Sequence, residues 1–160
     1  MSTVAIIDSG GANIASVRFA LNRLGVESRL TSNPQEIMAA ERVILPGVGA
    51  AKDAMRRLVD ANLIDVIRQL TQPVLGVCLG MQLLCQGSEE DDVECLGILP
   101  GVAALLPSST DCPVPNMGWC ATETKQHALL NGIPDGSYFY YVHSYALPVT
   151  AETIATANHT

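Results

Sequence analysis

A cysteine set between two glycines at the end of an apolar run constrains this chain more than any other feature. Residues 74–77 predict a buried strand, and residues 79–86 predict the helix that follows it. Gly76 and Gly80 have no Cβ, so the strand and the helix can approach closely enough to turn sharply at Cys78. The pattern therefore predicts a nucleophile elbow, in which a strained backbone projects the Cys78 sulfur out of the fold.

The position of Cys78 also favours reactivity. At the N-terminus of a helix, free N–H groups and the helix macrodipole favour negative charge, and the thiolate is the reactive form of cysteine. The alternative is that Cys78 is a small buried hydrophobe between two packing glycines. The glycine spacing favours the catalytic interpretation.

Composition and charge exclude several classes of protein. The chain has 160 residues, a net charge of −7 and a pI near 4.7, so it is a poor candidate for binding nucleic acid. It is 48% apolar and only 16% charged, and no apolar run approaches the ~18 residues that would span a membrane. Met1-Ser2-Thr3 leads directly into a strand without a signal peptide, which predicts a cytoplasmic protein.

The cysteines and histidines predict neither disulfides nor a metal site. There are five cysteines and no Cys-x-x-Cys pair, a usage typical of reduced thiols. The three histidines have no zinc-site spacing relative to these cysteines or to one another. We expect no metal and no cofactor.

Strand and helix patterns alternate along the first half of the chain. The predicted strands are 3–7, 26–30, 42–45 and 74–77, and the predicted helices are 14–24, 34–40, 51–60, 63–70 and 79–86. Asn13, Asn33 and Asn62 are candidate N-caps, and Gly25 and Gly87 are predicted helix ends. This order predicts an α/β fold with a mostly parallel sheet, helices on both faces, and ligands beyond the carboxyl ends of the strands.

The second half predicts an antiparallel extension of the same single domain, residues 1–160. Residues 138–142 and 153–157 have strand patterns. The charged segment 88–92 is predicted to be a solvated loop, and Met117-Gly118-Trp119 a turn after a proline-rich stretch.

Several segments carry a resemblance to a known family. Gly76-Val77-Cys78-Leu79-Gly80-Met81-Gln82 resembles the nucleophile segment of class I glutamine amidotransferases. Three further segments resemble the glutaminase subunits of imidazole glycerol phosphate synthases, a family within that class: Pro46–Gly49, Met117–Trp119 and Tyr140–Tyr145. The similarity runs in the same order along the whole chain from Ile7-Asp8-Ser9-Gly10.

The resemblance implies an activity and a partner. Members of this family hydrolyse glutamine to glutamate and ammonia, and channel the ammonia to a (β/α)₈ cyclase subunit in histidine biosynthesis. The implied nucleophile is Cys78. The implied oxyanion hole is the backbone of Leu79, Gly47, Val48 and Gly49, the implied glutamine-binding residues are Gly49, Gln82, Ser144 and Tyr145, and the implied partner interface contains Asn13, Trp119 and Tyr140.

Each implied role has a plainer alternative in the residues themselves. Pro46-Gly47-Val48-Gly49 is also an ordinary turn after a strand, and Gln82 is also a surface residue of a helix. Trp119, taken alone, is more typical of a core than of an interface. The chain also departs from the family, which usually has histidine at the position of Asn116 and asparagine at that of Cys120.

The largest departure concerns the general base. In the family, the histidine and glutamate that complete the triad lie in a His-Pro-Glu segment that this sequence does not contain. His143 and His159 match neither position, so we expect this 160-residue form, which lacks the C-terminal segment of the family, to be impaired. Two other functions stay open: a non-catalytic binding subunit, and a protein of the same superfamily that uses Cys78 for redox or stress chemistry.

Overall fold

The computed structural model describes residues 3–10, 13–110 and 112–159. The chain divides into two compact units, Met1–Val102 and Ala103–Thr160. The organisation as one domain stays a prediction. Within the described ranges, no helix combines the length and the apolar character needed to cross a bilayer.

The first unit is built on a parallel four-stranded sheet. Its elements, in chain order, are β1 Thr3–Ile7, α1 Ile14–Arg23, β2 Glu27–Thr31, α2 Pro34–Ala39, β3 Arg42–Gly47, α3 Ala51–Asp60, α4 Ile64–Arg68, β4 Val74–Cys78 and α5 Leu79–Leu83. The strands pair in parallel in the order β2-β1-β3-β4. The predicted α/β fold is confirmed.

Alternate residues of the strands bury opposite faces of this sheet, as the period of two requires. On one face, Val4, Ile6 and Ile44 form a small core against the side chains of α1, namely Ile14, Val17 and Leu21. On the other face, a larger core joins the sheet to α2, α3, α4 and α5, and includes Ile7, Leu45, Ile37, Leu58, Ile67 and Leu83. Helices therefore cover both faces of the sheet, as predicted.

Two of the three predicted asparagine caps are confirmed. The Asn13 side chain accepts a hydrogen bond from the Ser16 N–H at 3.4 Å, and the Asn33 side chain accepts one from the Gln35 N–H at 2.9 Å. The Asn62 prediction is wrong, because Asn62 has a positive φ of 56° and the helix begins after Leu63. Asn62 instead lies in the connection between α3 and α4, where its N–H donates to the Val59 carbonyl oxygen.

The elbow strand and its helix differ from the prediction in two ways. β4 lies at the edge of the described sheet, and Leu75 and Val77 are each 38% exposed, so it is not the buried strand that its apolar run predicted. The following helix ends at Leu83 rather than Gln86. Gly87 is not a helix end but the first residue of a short strand.

The charged segment 88–92 is more ordered than a solvated loop. Gly87–Ser88 forms β5, which pairs antiparallel with β6, Val93–Glu94, and a one-turn 3₁₀ helix at Glu90–Asp92 connects them. Ser88 is buried and its hydroxyl accepts a hydrogen bond from the Glu90 N–H at 3.2 Å. The prediction of a solvated loop is therefore wrong for Ser88.

The second unit contains the predicted antiparallel extension. Its elements are β7 Val102–Leu105, which begins at the last residue of the first unit, β8 Asn116–Thr124, a 3₁₀ turn at Ala128–Leu130, β9 Ser137–His143, β10 Tyr145–Ala146 and β11 Ala155–Ala157. β8 pairs with β9 on one side and β11 on the other, and β10 pairs with β7, all antiparallel. The Met117-Gly118-Trp119 segment lies inside β8, so the prediction of a turn there is wrong.

Glycines allow α5 to lie directly on the backbone of the sheet. A Cβ placed on Gly80 would overlap the carbonyl oxygen of Leu45 in β3. A Cβ on Gly76 would lie 2.6 Å from the Cα of Met81 in α5. Because these contacts are between backbone atoms, no rotamer change could relieve them, and the first turn of α5 depends on both glycines.

We expect Gly80→Ala to lower the free energy of unfolding by more than about 4 kcal/mol, the range of the most damaging single substitutions. Gly25→Ala is the matched control: Gly25 has a φ of +67° and an added Cβ would meet nothing within 4 Å. Gly25→Ala only places an alanine in the left-handed backbone region, so it should lower the free energy of unfolding by about 1 to 2 kcal/mol. Urea unfolding measures both, and equal losses would contradict the close approach of α5.

Candidate active site

Cys78 is the residue at which β4 turns into α5. Its backbone has φ 55° and ψ −120°, a combination that side-chain-bearing residues rarely adopt and that requires support from the surrounding fold. The side chain is exposed. The strained turn that the glycine spacing predicted is present, and it presents a thiol at the carboxyl edge of the parallel sheet.

The Gly47–Gly49 segment lies beside this turn. In the register of β3 and β4, Gly47 is the partner of Cys78. A Cβ on Gly47 would lie 2.7 Å from the backbone nitrogen of Gly80 and 3.0 Å from the Cβ of Leu79, so the two backbones are in contact. Gly49 has a φ of +87°, which a larger residue would adopt only under strain. The structure therefore brings together Cys78, Leu79 and the Gly47–Gly49 backbone.

Two side chains brace this segment at its ends. The buried Ser9 hydroxyl donates to the carbonyl oxygen of Pro46 at 3.4 Å. The Glu90 carboxylate accepts a hydrogen bond from the Ala51 N–H at 3.2 Å, at the start of α3. Sequence reasoning did not assign Ser9 a role and placed Glu90 in a solvated loop, because no local pattern links either residue to positions about 40 residues away.

The predicted glutamine-binding residues fall in both units. Gln82 lies on α5, one helical turn after Cys78, and is half-buried. Ser144 and Tyr145 belong to the second unit, where Ser144 separates β9 from β10. The predicted interface residues are divided in the same way: Asn13 caps α1 in the first unit, and Trp119 and Tyr140 lie on β8 and β9 in the second.

Trp119 and Tyr140 are cross-strand partners on an exposed face. Trp119 is 67% exposed and Tyr140 is 55% exposed, and their rings meet edge to face with centroids 5.5 Å apart. Their exposure rules out the core role that Trp119, taken alone, suggested. The register gives this face, called here the aromatic face, six residues: Met117, Trp119, Ala121, Tyr138, Tyr140 and Val142.

All five cysteines are free, and their environments differ. Burial raises the pKa of the Cys85 thiol above its usual value. Burial, and secondarily the neighbouring Cys85, raise the pKa of Cys95 to about 11. Both stay protonated at neutral pH, whereas Cys78 is exposed and Cys112 and Cys120 are half-buried.

Each histidine has a local hydrogen bond within the second unit. The Nδ1 of His127 accepts from the Leu129 N–H at 3.1 Å, His143 Nδ1 lies 2.9 Å from the Tyr145 carbonyl oxygen, and His159 Nε2 lies 2.9 Å from that of Pro113. Each imidazole is therefore held by the backbone of its own unit.

The thiol of Cys78 lies on a strand-to-helix elbow at the carboxyl edge of a parallel sheet, beside a glycine turn. This arrangement is typical of α/β enzymes that use a cysteine as nucleophile. The family model "Glutamine amidotransferase class-I" matches residues 5–159, and the chain belongs to this family of enzymes. The resemblance noted in the sequence is thereby confirmed.

Individual relatives show which members of the family this chain resembles. The chain is 51% identical to imidazole glycerol phosphate synthase subunit HisH of Xanthomonas campestris pv. campestris (strain 8004), over 99% of this chain and 80% of the relative. It is 49% identical to the protein of the same name in Xylella fastidiosa (strain Temecula1), again over 99% of this chain and 80% of the relative.

Solved structures agree on the fold. A glutamine amidotransferase crystal structure superposes with a TM-score of 0.73 at 16% identity, covering 95% of this chain and 78% of that one. PurLQS from Thermotoga maritima superposes with a TM-score of 0.63 at 18% identity, covering 97% of this chain and 74% of that one. At these identities the likeness concerns the fold.

We expect alkylation to distinguish the cysteines of the folded chain. At pH 8, iodoacetamide should modify Cys78 at least about tenfold faster than Cys85 or Cys95, because the buried pair is both inaccessible and protonated. Mass spectrometry of tryptic peptides after timed quenching measures the rates. Urea-unfolded protein is the control, in which the differences should nearly vanish. Comparable rates in the folded state would contradict the described burial.

Proposed function

We propose that this chain is the glutaminase subunit of an imidazole glycerol phosphate synthase. The observation that carries the proposal is the elbow at Cys78, with the Gly47–Gly49 backbone beside it. It is supported by identity of 49–51% to HisH subunits along 99% of the chain. Five free thiols fit a reducing compartment, so we also propose a cytoplasmic location.

The proposed reaction begins at the Cys78 sulfur. The thiolate attacks the side-chain amide carbon of glutamine, forming a C–S bond and a tetrahedral oxyanion. Backbone N–H groups of Leu79 and of the Gly47–Gly49 segment donate to this oxyanion. The C–N bond then breaks and the nitrogen leaves as ammonia after gaining a proton. Water hydrolyses the remaining thioester to glutamate and frees Cys78.

Four residues are proposed to hold the glutamine before attack. Gln82 lies one helical turn after Cys78, so the two can share one side of α5, and the positive φ of Gly49 orients its peptide near the same turn. Ser144 and Tyr145 are assigned by their match to the family motif.

The general base stays unassigned. The three histidines each have a hydrogen-bond partner in the second unit, and none matches the triad position of the family. A positioned general acid–base group typically raises the rate of such a reaction by about 10² to 10⁴-fold. We therefore propose that the 160-residue chain turns over glutamine slowly, although Cys78 can still form a covalent bond with a reactive substrate analogue.

The aromatic face is the proposed contact with the (β/α)₈ cyclase subunit that receives the ammonia. Large apolar side chains at exposed strand positions are costly in water and typical of protein interfaces. The HisH relatives are themselves subunits of a synthase, which supports a protein partner. Asn13, in the first unit, is assigned to the same interface by its match to the family.

The glutamine site can be tested with the diazoketone analogue of L-glutamine, which alkylates a nucleophile with loss of nitrogen gas. We expect a single adduct, on Cys78. L-Glutamine at ten times its Kd leaves about one site in eleven free, so it should slow labelling about tenfold. Intact-mass and peptide mass spectrometry measure the adduct and its position.

Three comparisons make this test specific. Cys78→Ser should give no adduct, whereas Cys112→Ser should label at the rate of the unchanged chain. D-Glutamine, which presents the wrong stereochemistry, should not protect. Labelling that L-glutamine does not slow would contradict a glutamine site, and a stable sulfenic acid at Cys78 formed with peroxide would favour a redox protein instead.

Trp119→Ala should weaken binding of the cyclase subunit more than it weakens the fold. An interface hot spot loses at least about 2 kcal/mol on truncation, or roughly 30-fold in Kd, whereas an exposed side chain contributes about 0.5 kcal/mol to stability. Titration calorimetry and thermal melts measure the two effects.

Leu129→Ala is the matched control for Trp119, since Leu129 is an exposed apolar residue of the same unit that lies off the aromatic face. It should leave the Kd for the cyclase within about twofold. An equal loss of affinity in both variants, or a collapse of the melt in Trp119→Ala with unchanged affinity, would rule out the interface assignment.

A further inference from the structure

The chain changes its strand partner at a single residue in the second unit. β9 ends at His143 in its ladder with β8, and β10 begins at Tyr145 in its pairing with β7. Ser144 lies between them, and its carbonyl oxygen accepts a hydrogen bond from the Leu106 N–H at 2.8 Å. Two of the four residues proposed to bind glutamine, Ser144 and Tyr145, therefore lie at this corner, and their orientation depends on how the corner is held.

The imidazole of His143 bridges the corner. Its Nδ1 lies 2.9 Å from the carbonyl oxygen of Tyr145, and because a carbonyl oxygen only accepts, Nδ1 carries the hydrogen. In the neutral ring, Nε2 is then an acceptor. It lies 3.3 Å from the Nδ2 of Asn116, which is a donor. Both neighbours thus favour the same tautomer of His143.

Asn116 is itself held in place on β8. It is the register partner of His143 and is only 6% exposed. The Sγ of Cys120 lies 3.8 Å from both the Oδ1 and the Nδ2 of Asn116, and with Nδ2 directed to His143 the Cys120 S–H can donate a weak hydrogen bond to Oδ1. Hydrogen bonds therefore run from Cys120 through Asn116 and His143 to the Tyr145 carbonyl, along the face of the hairpin opposite the aromatic face.

The same face offers a second polar pair, whose hydroxyls form no hydrogen bond with the side chains of Asn116 or His143, although the Tyr141 ring packs against the His143 ring with centroids 5.6 Å apart. The Thr122 hydroxyl and the Tyr141 hydroxyl lie 2.9 Å apart, and Thr122 is buried. Removing the Thr122 hydroxyl, which also donates to the Cys120 carbonyl oxygen at 3.4 Å, should destabilise the hairpin and leave the hydrogen bonds of His143 in place. It therefore distinguishes a role in stability from a role in orientation.

We propose that Asn116 and His143 are positioning residues for glutamine binding. By fixing the His143 tautomer, Asn116 keeps Nδ1–H on the Tyr145 carbonyl and so sets the direction in which Ser144 and Tyr145 face the substrate. The inference rests on the proposed glutamine-binding function of those two residues. Asn116 and His143 act through the corner and make no contact with the reacting atoms.

The test combines two measurements on the full 160-residue chain. Long-range ¹H–¹⁵N spectra of the histidine rings should show His143 with its hydrogen on Nδ1. Protection of Cys78 against the diazoketone then gives the Kd for L-glutamine. Asn116→Leu, which is nearly isosteric but cannot donate, should raise that Kd about tenfold, as the loss of one hydrogen bond would.

Two further variants separate orientation from stability. In Asn116→Asp, the carboxylate accepts from a protonated Nε2 while Nδ1–H stays on Tyr145, so the Kd should return to within about threefold of the original. Thr122→Val should lower the melting temperature and leave the Kd unchanged. The rate at which iodoacetamide modifies Cys78 should be the same in all of them. Asn116→Ser replaces Asn116→Leu if the larger apolar residue prevents folding.

The outcomes distinguish this inference from the proposed function. If L-glutamine does not protect Cys78 in the unchanged chain, the proposed function is wrong and the positioning role with it. If it protects the unchanged chain and Asn116→Leu equally well, only the positioning role is wrong. The same holds if Thr122→Val weakens glutamine as much as Asn116→Leu, or if the spectra place the His143 hydrogen on Nε2.

Discussion

The backbone contact between α5 and the sheet is the constraint on which the site depends. Gly80 packs on the carbonyl of Leu45, and Gly47 packs on the nitrogen of Gly80. Both contacts are too close to leave room for a Cβ. Only with the helix in this place can the chain leave β4 at the strained angles of Cys78. The strain is local, and the support comes from the larger core, where Leu83 and Leu45 are fully buried. Burial in this core therefore offsets the free-energy cost of the strained backbone at Cys78.

The first unit could be predicted from sequence because its signals are local. Asn13 and Asn33 accept hydrogen bonds from N–H groups two or three residues away, and alternation of apolar residues assigns Ile6 and Ile7 to opposite faces of the sheet. Predictions failed where tertiary contacts decide. The Gly87 segment pairs with β6 instead of ending a helix, and the apolar run of β4 lies at an edge. The residues of a segment do not by themselves reveal which strands will lie beside it.

The same division holds for the site. Cys78 and Gly47 follow from short motifs, because the requirement for glycine is a property of the turn itself. Ser9 and Glu90, which brace the ends of the glycine segment, were not identified. A serine after a strand and an acidic run have many ordinary roles, and only the folded chain shows which backbone groups they reach. Likewise, a tripeptide read as a turn is in fact the part of β8 that presents Trp119.

The β8–β9 hairpin serves both proposed roles of the second unit, partner binding and glutamine binding, because alternate residues of its strands point to opposite faces. One face presents Trp119 and Tyr140, and the opposite face holds the buried Asn116 and the half-buried His143. Tyr140 and Ser144 are four residues apart, or about 13 Å along extended chain. Because a shift of one residue would exchange the two faces, the register that exposes the aromatic pair also places His143 against Asn116. The proposed partner surface and the proposed glutamine corner therefore depend on one and the same strand pairing.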